Sequence, residues 1–479
     1  MIDLKTDLEK KHSISPYLYM QFMEPLGVAD SSVDAGWDFD NNKWFDGLID
    51  CVRELSPTMV RFGGCFASYY HWREAVGDYK KRIPMRNHCW SGIYHNLVGT
   101  HEVIDFCKKV GAEPLFVANM ESEGLDFWQY PKNDSCRKGT DIEAADWVSY
   151  CNDPDSRERI SNGIKEPYNV KYWQVGNETS YGVWGIPGFT LDECFETTER
   201  FAKAMRNRDP SIKLIGWADE AIKTKENWCK RMSEAEGIDM LAFHHHFGTG
   251  RDDTKINGTA YRDDADITWE YMLSAYKSLD EQIKRMREDC GGKRLAMTEG
   301  HFGLKGRNRN EVLSSWTAGV AYARCLNTIM RHSDVLDIAT MADFFGSVWQ
   351  VNAVMIPTPF KENKRCYLQP VGSVMSLFGR HQGSCHIDCS YSGAVDAVAS
   401  ATGNKVFIHL VNTDMHASQM IRLNTGREIK NAKMYYIAQN PTKEITMLEP
   451  DAFAVSTVDI CGDTVTVPKA AVCAIEIEL

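Results

Sequence analysis

From about Ser56 to Val348, short apolar runs alternate with longer amphipathic stretches. Thr58-Met59-Val60-Arg61-Phe62 predicts a strand running into Gly63-Gly64. His101 to Val110 predicts a helix, because Val103, Ile104, Phe106 and Cys107 recur at helical spacing. Strands follow at Glu113–Val117, Lys171–Val175, Lys213–Gly216, Met240–Phe243, Arg294–Thr298 and Ile338–Ala342. Helices are expected between them at Ala144–Cys151, Leu191–Arg208, Lys225–Glu236, Trp269–Glu288 and Glu311–Arg331. Asp209-Pro210 stops the second of these. Such alternation predicts a parallel sheet with crossover helices. Roughly eight strand-helix units fit the span, which favours an α/β fold of the (β/α)8 TIM barrel kind over an open sheet.

After about Pro370 the pattern changes. Val395–Ala399, Lys405–Asn412, Lys433–Ile437 and Ala471–Ile477 are short β runs separated by turn residues. They predict a C-terminal antiparallel β-sandwich. The expected division is a catalytic barrel over residues 14–369 and a sandwich domain over 370–479.

The chain has 479 residues, of which 43% are hydrophobic, enough for a large buried core. Sixty-six acidic residues outweigh 54 basic ones, for a net charge of -12, which argues against a broad nucleic-acid-binding surface. The 15 cysteines follow no tight repeat, and Cys385 with Cys389 lacks a second pair to complete a zinc pattern. Met1 to Lys11 is charged rather than apolar, and no run reaches the length of a membrane helix. A reduced, cytoplasmic protein without membrane attachment is expected.

Polar residues gather just after the expected strands: Arg61 to Cys65, Asn119, Asn177 and Glu178, His244 to His246, and Thr298 with Glu299. In a parallel barrel this edge carries the chemistry. The run Val170 to Val175 ends in Gly176-Asn177-Glu178, and Leu295 to Thr298 ends in Glu299-Gly300. Two glutamates at one edge meet the demand of glycoside hydrolysis: one protonated to donate to the leaving oxygen, one ionised to attack the anomeric carbon. A lone glutamate at a strand end is more often a solvated loop residue. The matched pair tips the balance toward catalysis. Successive histidines on a strand face opposite ways, so only His244 and His246 share a side. Without further ligand spacing, no metal is expected, and His245 should turn toward packing.

An ordered set of segments resembles the α-L-arabinofuranosidases of glycoside hydrolase family 51 over nearly the whole chain. It comprises Ile14 to Gly27, Val60 to Phe66 with Tyr70-His71-Trp72, then Asn96, Gly99 and Glu102, Trp147 to Asn152, Glu166 to Glu178, His244, and Asn352-Ala353. The resemblance implies retaining hydrolysis of a terminal α-L-arabinofuranoside, with Glu178 as acid/base and Glu299 as nucleophile. It implies sugar contacts from Glu24, Cys65, Asn177, His244, His246 and Asn352, and no cofactor. It also implies that residues 1–13 add a strand to the sandwich, and that the chain forms homo-oligomers, hexamers being common in that family.

The chain departs from the family pattern around the sugar. Cys65, Asn352, His246 and Tyr94 stand where the family has Asn, Gln, Tyr and Glu, and Gly300 replaces a Trp beside the nucleophile. Gly300 is expected to open space there, with Trp90, Trp184 and Trp349 as candidate stacking faces. A pocket that grips a hydroxyl rejects analogues lacking it, so changed partners imply a changed glycone. Alternatives are a retaining pyranosidase such as a β-xylosidase, and a catalytically silent carbohydrate-binding protein. A panel of aryl glycosides should find a substrate turned over faster than the aryl α-L-arabinofuranoside. Family-typical rates on the arabinofuranoside, with slower turnover of every other sugar, would sink the altered-glycone expectation.

Overall fold

The computed structural model describes residues 1–30, 32–87, 89–120, 138–181, 188–220, 226–305, 310–358 and 365–479. Trp184, the start of the helix expected at Lys225, and the rest of 221–225 lie outside the described residues.

Eight parallel strands succeed one another side by side: Gln21–Met23, Met59–Phe62, Glu113–Ala118, Tyr172–Val175, Lys213–Trp217, Met240–Phe247, Arg294–Phe302 and Leu336–Ala339. Most are buried on both faces, as in Tyr172–Val175, where all four residues are buried. That explains why they read as continuous apolar runs rather than alternating ones. The Met20 amide donates to Ala339 (2.9 Å) and the Ala339 amide to Tyr17 (3.1 Å), so the lead-in to the first strand pairs with the eighth. Asp343–Gly346 and Asn352–Met355 extend the sheet on the free side of Gln21–Met23.

The connecting helices include Thr100–Val110, Asp141–Asn152, Leu191–Arg208 and Trp316–Arg331. Leu191–Arg208 starts with a capping box, in which Thr190 and Glu193 satisfy each other's backbone amides. Three expected helices differ. The stretch from Trp269 to Glu288 is broken into Ala265–Leu273 and Tyr276–Asp289. Glu311–Ser314 is a separate 3-10 turn before Trp316, and the helix expected to end at Glu236 is only Trp228–Ser233.

A second, nine-stranded sheet joins Ile2–Ser13 to the C-terminal strands Cys385–Ser390, Val395–Thr402, Lys405–Asn412, Gln419–Asn424, Asn431–Ala438, Ser456–Asp459, Thr464–Val467 and Ala471–Glu478. Its pairings are antiparallel except one, a departure from the wholly antiparallel expectation. Ile2 to Lys5 run parallel to Ile421 to Asn424, while the same strand pairs antiparallel with Cys385–Ser390 on its other side. Four of these strands escaped the sequence reading, Ser456–Asp459 because it is exposed throughout and has no apolar face. The helix Pro370–Arg380 packs against Trp316–Arg331 and Asn352–Met355 and also touches Ala471–Glu478, so it lies between the two sheets. Among the described residues, no helix is long and apolar enough to cross a membrane.

Candidate active site

At the C-terminal ends of the parallel strands, a cavity of about 550 Å³ is bordered by Glu24, Cys65, Trp90, Glu178, His246, Glu299, His301, Asp343 and Trp349. Its floor is organised by Arg61, on Met59–Phe62, whose side chain is wholly buried. Its guanidinium donates to Gln174 (2.9 Å), to Asn177 Oδ1 (2.5 Å) and to Glu299 Oε1 (2.9 Å). One permanent cation therefore ties three strands together and sets positive charge against Glu299. A planar fork of donors suits this job better than an ammonium.

Glu178 sits past the end of Tyr172–Val175, after a turn in which Gly176 has φ +74° and Glu178 itself φ +50°. A left-handed glutamate is costly and marks a constrained position. Its Oε1 lies 2.8 Å from His244 Nδ1, and the Cys65 thiol approaches its Oε2 at 3.8 Å. Burial raises the Glu178 pKa above the ordinary glutamate range.

His244 also reaches Thr298 Oγ1 through Nε2 (3.0 Å), and its Nδ1 is 3.5 Å from Glu299 Oε2. A register shift between Met240–Phe247 and Arg294–Phe302 pairs Phe243 with Met297 but His244 with Glu299. Thr298 is the extra residue, so both Thr298 and Glu299 reach one imidazole; bulges often re-aim side chains in this way. Burial pushes the His244 pKa down to about 3, so the ring is neutral. Glu178, His244 and Glu299 present ligand atoms within 4.8 Å of one another, a spacing a cation could use. Arg61 already occupies one Glu299 oxygen, however, and a neutral ring between two carboxylates equally suits hydrogen bonding.

Glu24 follows the first strand. Its Oε1 accepts from the Phe66 amide (3.1 Å) and the Trp90 indole (2.8 Å). Gly64, at φ +129°, lets the carboxylate lie against the backbone: a Cβ there would stand 2.2 Å from Glu24 Oε2. Burial, then the Glu299 charge, raises the Glu24 pKa well above the usual range. Trp90 and Trp349 meet edge to face with centroids 5.3 Å apart. Trp349 is held there by Asp30, whose Oδ1 accepts the amides of Ser347 (3.1 Å), Val348 (2.5 Å) and Trp349 (2.9 Å).

The structure brings Glu24, Cys65, Trp90, Glu178, His246 and Glu299 to the cavity. Asn177 and His244 lie behind that lining, bonded to Arg61 and to Glu178. Three expectations are corrected. Asn352 is fully buried and outside the cavity lining, because the Asp30 loop claims its amide, which donates to Asp30 Oδ2 (2.7 Å). Tyr94 is buried with its hydroxyl bonded to the Val98 carbonyl. Gly300 opens no space beside Glu299: it pairs with His245 on the opposite face of the sheet, where a Cβ would meet the Thr340 carbonyl at 2.7 Å. His245 turns away as expected, to Gln282 and to Ser278 (3.1 Å). The sequence reading did not single out Asp343 or His301. Asp343 directly follows the strand expected at Ile338–Ala342, and His301 lies two residues after Glu299, on the same face.

Carboxylates buried wholly or in part at the ends of a parallel sheet, beside aromatic walls and around a cavity of this size, are what a glycoside hydrolase requires. Sequence comparison gives the family. The family described as Alpha-L-arabinofuranosidase 1 domain matches residues 51–266, and the Alpha-L-arabinofuranosidase C-terminal domain matches 301–470. An intracellular exo-alpha-(1->5)-L-arabinofuranosidase of Acetivibrio thermocellus is 27% identical over 88% of this chain and 86% of its own. Its namesake from Halalkalibacterium halodurans is 28% identical over 70% and 68%. Among solved structures, the alpha-L-arabinofuranosidase of Thermotoga maritima in complex with arabinose matches with a TM-score of 0.76 at 23% identity, over 100% of both chains. The family 51 enzyme of Xanthomonas axonopodis pv. citri matches with a TM-score of 0.81 at 20% identity, over 100% of this chain and 99% of that one. The chain belongs to glycoside hydrolase family 51, as an α-L-arabinofuranosidase-like member.

Gly64→Ala should cut kcat/KM at least about tenfold while the chain still folds, since the added carbon displaces Glu24 rather than core. Kinetics on an aryl glycoside and a thermal melt check it; unchanged kcat/KM would mean that the Glu24 position does not matter for turnover.

Proposed function

We propose that the protein is a retaining exo-glycosidase that releases a terminal α-L-arabinofuranosyl or related residue from short oligosaccharides. The observation that carries this is the spacing of the two glutamates, whose nearest oxygens lie within 4.8 Å of each other around His244. Retaining enzymes hold their carboxyls about 5–5.5 Å apart, whereas inverting ones leave about 6.5–9.5 Å for a water. Glu178, whose burial favours the protonated form, donates its proton to the glycosidic oxygen as Glu299 attacks the anomeric carbon. The glycosidic bond breaks, the aglycone leaves as an alcohol, and a glycosyl ester forms on Glu299. Glu178, now a carboxylate, takes a proton from water, and the resulting hydroxide displaces Glu299 to release the sugar. Arg61 positions Glu299 and Asn177 throughout.

The finer architecture is part of the same reading. The bonds from Met20 to Ala339 and from Ala339 to Tyr17 support closure of the eight strands into a (β/α)8 barrel. Ile421 and Val467 from one end of the second sheet share an apolar cluster with Met434 and Ile475 from the other, which supports a sandwich. We take residues 14–369 as the catalytic barrel and 370–479 as the sandwich, completed by the N-terminal strand, with Pro370–Arg380 at the seam. The names of the relatives, with "intracellular" and "exo" in them, support a cytoplasmic enzyme acting on chain ends. Cys65 and His246 line the cavity, which supports a glycone differing from plain L-arabinofuranose. Homo-oligomeric assembly, as hexamers, is proposed from the family likeness alone.

Glu178→Ala and Glu299→Ala should each lower kcat by about 10²–10⁴-fold or more. Azide should rescue Glu299→Ala with an inverted glycosyl azide and Glu178→Ala with a retained one, distinguishable by NMR; full activity of either variant removes that assignment. The sign of the pH profile follows from Glu178, which must hold its proton. Its raised pKa places the alkaline limb of kcat/KM above the free-glutamate value of about 4.3, with activity falling as pH rises through it. Loss of that limb in Glu178→Gln, measured on a substrate with an activated leaving group, checks the assignment.

A further inference from the structure

Asp343 and Asp30 are two buried acids of one neighbourhood with opposite fates. Asp30 is saturated by three backbone amides and the Asn352 side chain. Asp343 is 4% exposed, yet among the described residues its Oδ1 has no hydrogen-bond partner. The nearest basic atom, His301 Nε2, stands 3.8 Å away, beyond hydrogen-bonding distance, and burial keeps that ring neutral, with a pKa pushed down to about 4. A buried acceptor left unmet is costly, and native structures seldom tolerate one without a reason. The carboxyl is not sealed in core: it lines the cavity together with Glu299 and Trp349. Its strand lies beside the one that leads into Glu24, Asp343 pairing with Phe22. It therefore borders the same chamber as Glu24, whose carboxylate is already anchored by Phe66 and Trp90.

Resting on the glycosidase reading above, we infer that Asp343 reads a hydroxyl of the glycone, its free Oδ1 being completed by the bound sugar. Burial, then the neighbouring Glu299 and Asp30 charges, favours the protonated carboxyl, which can donate as well as accept. Four acids, Glu24, Glu178, Glu299 and Asp343, border or enter the chamber, and the Arg61 charge is spent on Glu299. The preferred ligand is thus a neutral polyhydroxylated ring, and a uronic acid is disfavoured.

The test is a cycle between enzyme and substrate. Wild type, Asp343→Ala and Asp343→Asn are compared by kcat/KM on the best aryl glycoside and its mono-deoxy analogues. Asp343→Ala should lose about 100-fold on the parent sugar. On one deoxy analogue, already poor for wild type, it should lose less than about threefold, because the partner hydroxyl is gone. Asp343→Asn, which keeps the shape and an acceptor, should show the same pattern with a smaller loss and serves if the alanine variant fails to fold. Equal losses on every analogue, or no loss on the parent, overturn the inference. Calorimetry with the free monosaccharide and its deoxy forms runs the same cycle without turnover. A wild type that binds sugar through Asp343 but hydrolyses nothing would therefore sink the glycosidase reading while leaving this one standing.

Discussion

The buried guanidinium of Arg61 is the constraint from which the site follows. It enters from Met59–Phe62 and bonds to Tyr172–Val175, to the turn after that strand and to Arg294–Phe302, so three strands cannot shift independently. It is also the only full positive charge among the described residues that bonds directly to either of the paired glutamates. Removing such a cation from water is expensive unless its donors are met. Here Nε, Nη1 and Nη2 each find an oxygen acceptor. The same bonds place an anion, Glu299, where the proposed displacement needs one.

Around that fixed point, local backbone devices set the remaining geometry. The bulge at Thr298 brings two successive residues to His244. The left-handed turn at Gly176 and Glu178 lifts a carboxylate off the end of its strand to a partly buried position at the cavity, which raises its pKa. Gly64 allows Glu24 to rest on the chain itself, and the Asp30 cradle delivers Trp349 to the cavity wall. Each is small in energy, and all depend on the rigid parallel sheet beneath. The chemistry proposed for the pair rests on the contrast between them: Glu178 faces a neutral imidazole and a thiol, Glu299 a guanidinium.

Much of this was legible in the chain. Parallel strands buried on both faces read as unbroken apolar runs, and Lys405–Asn412 and Leu191–Arg208 have the expected bounds, because patterning and the Thr190 and Asp209-Pro210 boundaries act locally. The helix break near Ser274 was illegible because the apolar period continues across it. The readings of Gly300 and Asn352 failed for another reason. Which face a residue takes is decided by register, and register is decided by partners far away in the chain. Gly300 is opposed to His245, and Asn352 is captured by Asp30 over 300 positions earlier.

By itself, then, the sequence determined the alternation of strands and helices, the run of short strands from Val395 onward, though not the helix Pro370–Arg380 before it, and the two glutamates at strand ends. These are encoded in periods of two and 3.6 residues and in turn chemistry, which need only near neighbours. Tertiary structure alone decided that Arg61 would join Asn177 to Glu299, that His244 would stand between the glutamates, and that Asp343 would be left facing the cavity with an unmet oxygen. Those relations are distances between residues up to 238 positions apart. They exist only once the sheet has set its register and excluded water from the polar groups at its end.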